Sequence, residues 1–199
     1  MLNRGQDLAS YSTILKLRKI VLNIKSSSIR TAKFKNLCET QGKKFYKISA
    51  DVDTRWGSAY RMVNKSLVLK NQINHMVQED RDMEPHRLSM DDWDILSTLS
   101  DNLKIFHEFS TFFEGQRYPT ISQSIASFNI LFDKLDDLDD KYPNNQGVKD
   151  AFKKLKKFYK LSDNCPAHYI ALILNPSFKV NYLVTHGWEV NSVRQIKQL

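Results

Sequence analysis

The residues best suited to chemistry are few, and their spacing limits what they could do. Asp51 and Asp53 stand two apart. On a strand both carboxylates would project from one face, as a two-metal phosphoryl-transfer site needs. Just before a helix, the same pair instead lies near the positive end of the macrodipole and serves as an N-terminal cap, the commoner use and the favoured reading. Cys165 and His168 have a spacing seen in metal sites, but a closed zinc site takes four ligands and no second pair accompanies them. Cys38 and His186 join no pattern, so a structural role is favoured for all four. The sequence holds no Gly-rich phosphate loop, no G-x-S-x-G elbow and no His-Glu-x-x-His pair, which weakens most enzyme classes.

Charge points elsewhere. The net charge of +8 over 199 residues divides into three blocks. Residues 1–50 carry 11 Lys+Arg against 2 Asp+Glu, residues 51–140 carry 9 against 17, and residues 141–199 carry 10 against 3. Basic flanks around an acidic centre suit a protein that meets a polyanion with its ends. Solvated helix faces would produce the same pattern, and charge alone gives that reading equal weight.

An apolar content of 41% supports a real core, with six glycines and five prolines. No apolar run approaches the roughly 20 residues that span a bilayer. The polar start, Met1 to Ser10, lacks a secretory h-region, so a reduced, intracellular protein is expected.

These candidates must be carried by helices, because helical periodicity dominates. Ile14, Leu17, Val21 and Ile24 recur at spacings of three and four, with Lys16, Lys19 and Lys25 between them, which predicts an amphipathic helix over 11–26 with a basic outer face. A second helix over 29–40 should stop at Gly42, where a left-handed cap is permitted. Residues 43–50 alternate weakly and are the one plausible strand.

Ser89 and Asp92 have capping-box spacing, and Leu88 with Trp93 forms a hydrophobic staple. The stripe Trp93, Leu96, Leu103, Phe106 and Phe113 then carries a helix to about Gly115. Thr120 should cap the next, with Ile121, Ile125, Phe128, Phe132 and Leu135 inward, until Tyr142-Pro143 ends it. The acidic run Asp136, Asp137, Asp139 and Asp140 lies on its outer side. A last lysine-rich helix turns Val148, Phe152, Leu155 and Tyr159 inward. Its Lys153, Lys154, Lys156, Lys157 and Lys160 are the candidate phosphate contacts.

The run Asp51-Val52-Asp53-Thr54-Arg55-Trp56-Gly57-Ser58-Ala59-Tyr60-Arg61-Met62 resembles the hAT transposases, whose Asp-x-x-Thr-Arg-Trp-Asn-Ser segment followed by Tyr-x-Met opens a long helix. Three further landmarks follow in the family's order. They are Asp91-Asp92-Trp93, then Phe113-Glu114-Gly115 with Tyr118-Pro119-Thr120-Ile121, and finally the stretch from Tyr169 to Lys179 with Trp188 beyond it. Gly57 departs from the usual Asn and removes a side-chain hydrogen bond.

The resemblance implies a mainly α chain, the helical insertion region of an RNase H-like transposase, with at most one short strand near 43–50. It implies a basic helical approach segment at 1–50 and a helical insertion domain at 51–199 forming one structural unit. The family's three metal-binding carboxylates lie outside this piece, so no catalytic residue, no metal site and no cofactor is expected here. Intact members use Mg²⁺ or Mn²⁺. The Trp of the Thr-Arg-Trp motif is thought to stack on a displaced base, which would give that role to Trp56 with Arg55 beside it. Packing of Trp56 as a core anchor is an equal alternative. The implied function is a truncated transposase segment, inactive by itself, that binds DNA weakly through its basic ends and the Thr-Arg-Trp motif. A domesticated nucleic-acid- or protein-binding module is the alternative. The implied partners are DNA and an intact transposase relative, with no membrane and no small-molecule substrate, and the implied location is the nucleus.

Overall fold

The computed structural model describes residues 4–52, 56–114, 121–143, 145–162, 165–178 and 182. Eight α-helices occupy them: α1 (Arg4–Ser26), α2 (Ser28–Thr40), α3 (Trp56–Val68), α4 (Lys70–Glu79), α5 (Met90–Phe113), α6 (Ser124–Lys141), α7 (Gln146–Ser162) and α8 (Pro166–Leu174). The expected mainly α class is observed. Residues 43–50 form no ladder, and no strand element occurs among the described residues. Strand-like alternation is not enough where no neighbouring strand takes up the backbone groups.

The chain divides into two compact units between His107 and Glu108, within α5. Residues on both sides of position 50 pack into one core in the unit Leu2–His107. Leu17, Ile20, Val21 and Ile24 of α1 are buried there with Phe34 and Cys38 of α2, as the spacing predicts. Met62 and Val63 of α3, Ile73, Met76 and Val77 of α4, and Trp93 and Leu96 of α5 complete it. Trp93 is 1% exposed, and its indole N–H donates to Asn74 Oδ1 at 3.1 Å, so a large apolar side chain is buried without an orphaned donor.

Local signals fix the helix ends. The Ser27 hydroxyl accepts from Arg30 N and caps α2. At the other end of α2, Gly42 takes φ +65°, while Lys43 N donates to Cys38 O (2.8 Å) and Gly42 N to Glu39 O (3.0 Å). This pair of bonds is a Schellman end, and it places glycine where a Cβ would be strained. At α5, Ser89 N donates to Asp92 Oδ2 (3.0 Å) and Asp92 N to Ser89 Oγ (3.1 Å), the reciprocal box read from the sequence.

Of the basic outer face expected for α1, Lys19 and Lys25 are exposed, whereas Lys16 is engaged. Lys16 Nζ lies 2.9 Å from Asp92 Oδ2, and Thr13 Oγ1 donates to Asp92 Oδ1 at 2.8 Å. Burial favours the neutral acid at Asp92, but the Ser89 N–H and the Lys16 and Thr13 donors outweigh it and hold the carboxyl below its usual range. Arg18 forms a two-bond fork on Asp51, at 2.6 and 2.7 Å. Arg30 does the same with Asp80 and also reaches Asp82. Lys33 pairs with Glu79 at 2.8 Å. Lys16, Arg18, Arg30 and Lys33 of the basic block at 1–50 are therefore matched by carboxylates of the acidic block, a pairing invisible to a charge count.

In the unit Glu108–Leu199, aromatic rings join α6 and α7 beside a buried aliphatic set that includes Leu131, Leu135, Val148 and Leu155. Phe128 and Phe132 of α6 each meet Tyr159 of α7 edge-on with centroids 5.7 Å apart, and Phe132 also meets Phe152. Ile125, Tyr169 and Leu172 form a second cluster with Phe178 and Tyr182 against it. Helix α6 begins at Ser124, three residues later than its periodicity suggests. Ile121 lies in a 3-10 turn closed by the Ser124 hydroxyl donating to Ile121 O (2.7 Å), and it is exposed instead of inward. The expected cap at Thr120 lies outside the described residues.

Candidate nucleic-acid interface

Helix α7 is built from a local start and a divided surface. Asn145 Oδ1 accepts from Gly147 N (2.9 Å) and Val148 N (3.4 Å), which satisfies donors of the first turn. Val148 and Leu155 are buried, and Phe152 and Tyr159 lie against the rings of α6. That stripe leaves Lys153, Lys154, Lys156, Lys157 and Lys160 outward, and all five are exposed.

None of the five forms an ion pair among the described residues. Lys153 and Lys157, and likewise Lys156 and Lys160, stand at i,i+4, where like charges cost an isolated helix about 0.2–0.5 kcal/mol per pair. A polyanion laid along this face would relieve that repulsion and release its own counterions. The helix is therefore held on one side by its rings and left electrostatically unsatisfied on the other.

The second predicted element is the Thr-Arg-Trp motif. Trp56 is the first residue of α3, while the placement of its side chain and the whole of Arg55 lie outside the described residues, as do Asp53 and Thr54. The motif belongs to the unit Leu2–His107 and the α7 lysines to the unit Glu108–Leu199. Near the motif, Val52 N donates to Ser58 Oγ at 2.7 Å. A Cβ on Gly57 would meet His107 Nδ1 at 3.7 Å and Arg61 at 3.9 Å, both ordinary contacts, so no close packing demands glycine there.

Asp51 turns its carboxylate toward α1. Both of its oxygens are taken by Arg18, and its side chain is only 5% exposed. The sequence weighed cap against metal and missed this partner, 33 residues away on α1. His168 Nδ1 lies 2.8 Å from Ser124 Oγ, and Cys165 is an exposed free thiol at the start of α8. Among the described residues, no three His, Cys, Asp or Glu side chains could together hold a metal ion.

Comparison with known proteins bears on both units differently. Residues 8–101 match the family described as the ZBED1 RNase-like helical domain, a span that falls inside the unit Leu2–His107. A protein of Zea mays named "Putative AC transposase" is 28% identical over 171 residues, which is 84% of this chain and 21% of that protein. The chain thus spans about a fifth of that relative's length. No solved structure matches.

Proposed function

From a chain related to the hAT-type transposases, with a transposase-like helical domain at residues 8–101, we propose a DNA-contacting helical module that does not cut DNA by itself. The observation that carries this reading is the exposed lysine face of α7, without an ion pair among the described residues and backed by the aromatic contacts to α6. Contact with phosphates through Lys153, Lys154, Lys156, Lys157 and Lys160 needs no bound metal and tolerates any sequence. Arg55 and Trp56 would add a preference for unpaired bases. The partners proposed are DNA, bound weakly, and an intact transposase relative. The nucleus is the proposed location, as the resemblance implies, and no described helix is long and apolar enough to cross a membrane.

Titration of labelled duplex over a range of salt tests the reading. Affinity should fall with salt, with a log–log slope of about −0.9 for each neutralised phosphate. Binding indifferent to salt, or unchanged after all five lysines become glutamine, rejects the α7 face. A second titration with DNA containing an unpaired base tests the motif. Trp56→Ala should weaken that binding selectively by about 1–3 kcal/mol if the ring stacks on a base. A loss of stability with no such selectivity assigns Trp56 to the core instead. Incubation with Mg²⁺ or Mn²⁺ and labelled duplex should release no nicks above a protein-free control, and metal-dependent cleavage would falsify the inactive-module reading.

A further inference from the structure

A second surface, in the unit Leu2–His107, has a chemistry unlike that of α7. Between α1, α2 and residues 45–48 lies a partly open cleft of about 220 Å³. Val21, Ile24, Phe34, Phe45 and Ile48 make it apolar, and Lys25 and Lys47 stand at its edge, exposed. Small-molecule pockets are usually roughly 300–1,000 Å³, so this volume suits a single large side chain better than a whole ligand.

The lining also bears on what that side chain belongs to. The Thr31 hydroxyl already donates to Ile24 O at 2.9 Å, and no carboxylate lines the cleft. A nucleobase would bring several polar edge atoms into these apolar walls and leave most of them unpaired, which is costly. An aromatic or aliphatic side chain has no such edge.

The charges at the edge select the rest of the partner. Lys16, Arg18, Arg30, Lys33 and Lys35 all pair with carboxylates of this chain, whereas Lys25 and Lys47 have no carboxylate partner among the described residues. The backbone beside them is open in part: the Lys47 carbonyl accepts from Lys65 Nζ at 3.2 Å. No backbone–backbone hydrogen bond engages residues 44–50 among the described residues, and most of that segment is exposed. An extended peptide could add its own main-chain bonds there.

We propose that this cleft takes one large apolar side chain from an acidic peptide segment of a partner protein, with the flanking carboxylates on Lys25 and Lys47. The site is separate from the α7 lysines and does not depend on the DNA reading. The test uses the full chain with isotope-labelled Val and Ile methyls. The probe is a pool of short extended peptides, each with one Phe, Trp, Leu or Met between Asp and Glu residues.

Peptide binding should shift the methyls of Val21, Ile24 and Ile48. Serine in place of the anchor should weaken binding by at least about tenfold, as loss of a buried hot spot does. Lys25→Glu/Lys47→Glu, which alters only exposed side chains, should keep the helical spectrum of the parent and lose a comparable factor. Three results overturn the proposal: no methyl shift with any peptide in the pool, equal binding of anchored and anchorless peptides, or the same methyl shifts produced by a single-stranded oligonucleotide in preference to the peptides.

Discussion

Arg18 and Lys153 carry the same charge, but they stand in opposite situations. Arg18 is held by both oxygens of a nearly buried Asp51, and Lys16, Arg30 and Lys33 also pair with carboxylates. Lys153 and its four neighbours on α7 meet no carboxylate among the described residues. In the unit Leu2–His107, the positive charge of Lys16, Arg18, Arg30 and Lys33 is an internal fastening. In the unit Glu108–Leu199, it is an external surface held by a seam of rings. The lesson is that a run of lysines says little about a partner until the carboxylates that could cancel it are located in space.

The sharpest way to break this comparison is at Asp92. Asp92→Ala removes the acceptor of Ser89 N, Thr13 and Lys16 at a site 7% exposed, and stability should drop by about 2–4 kcal/mol in a urea or thermal melt. Asp92→Asn keeps one acceptor oxygen and should cost less. A loss under about 0.5 kcal/mol, the range of a surface substitution, would show that the fastening carries no weight.

Acid should reveal the same asymmetry. Asp92 and Asp80 have folded pKa values below their unfolded ones, Asp80 chiefly through the Arg30 hydrogen bond. Their contribution is present above an unfolded value of about 3.9 and is lost as pH falls through the lower folded values. The melting midpoint should therefore decline below about pH 4, and less so in Asp92→Asn. An equal decline in both proteins would remove Asp92 as a source.

The converse change is at α7. Conversion of all five lysines to glutamine should move stability by no more than about 0.5 kcal/mol, as exposed substitutions do. DNA affinity at low salt should nonetheless fall at least about tenfold, with a shallower salt slope. Arg30→Gln/Lys33→Gln should leave DNA affinity unchanged, because those charges are already matched. Equal DNA defects in the two variants would erase the distinction between fastening and surface.

The smallest effect is at Gly57, in the first turn of α3. Gly57→Ala meets only ordinary contacts and should stabilise the protein by about 0.5–1 kcal/mol through helix propensity. A loss would mean that the first turn of α3 requires glycine.

What the sequence made legible was what is local. Ser89 and Asp92 lie three residues apart, Gly42 follows its helix directly, and the inward stripe of α7 is a single period, so each could be read without knowing the fold. The pairing of Arg18 with Asp51 and of Lys16 with Asp92 crosses 33 and 76 residues, and no spacing rule reaches that far. Ile48 and Met62, from blocks of opposite charge sign, share one core because burial decides which segments pack. The lysines of α7 were legible as candidates because the same stripe that buries Leu155 forces them outward.

The bonds at Asp92 also bear on the order of folding. A capping box ordinarily forms as its helix nucleates, within a few residues. Here the same carboxylate also waits for Thr13 and Lys16, which lie 79 and 76 residues earlier in the chain. The start of α5 can be sketched locally, but its last two donors arrive only after a long loop has closed. Such closure carries an entropic cost before any contact repays it. Helix α1 therefore acts late on a helix it does not adjoin in sequence, and mutations at Thr13 should speed unfolding more than they slow folding.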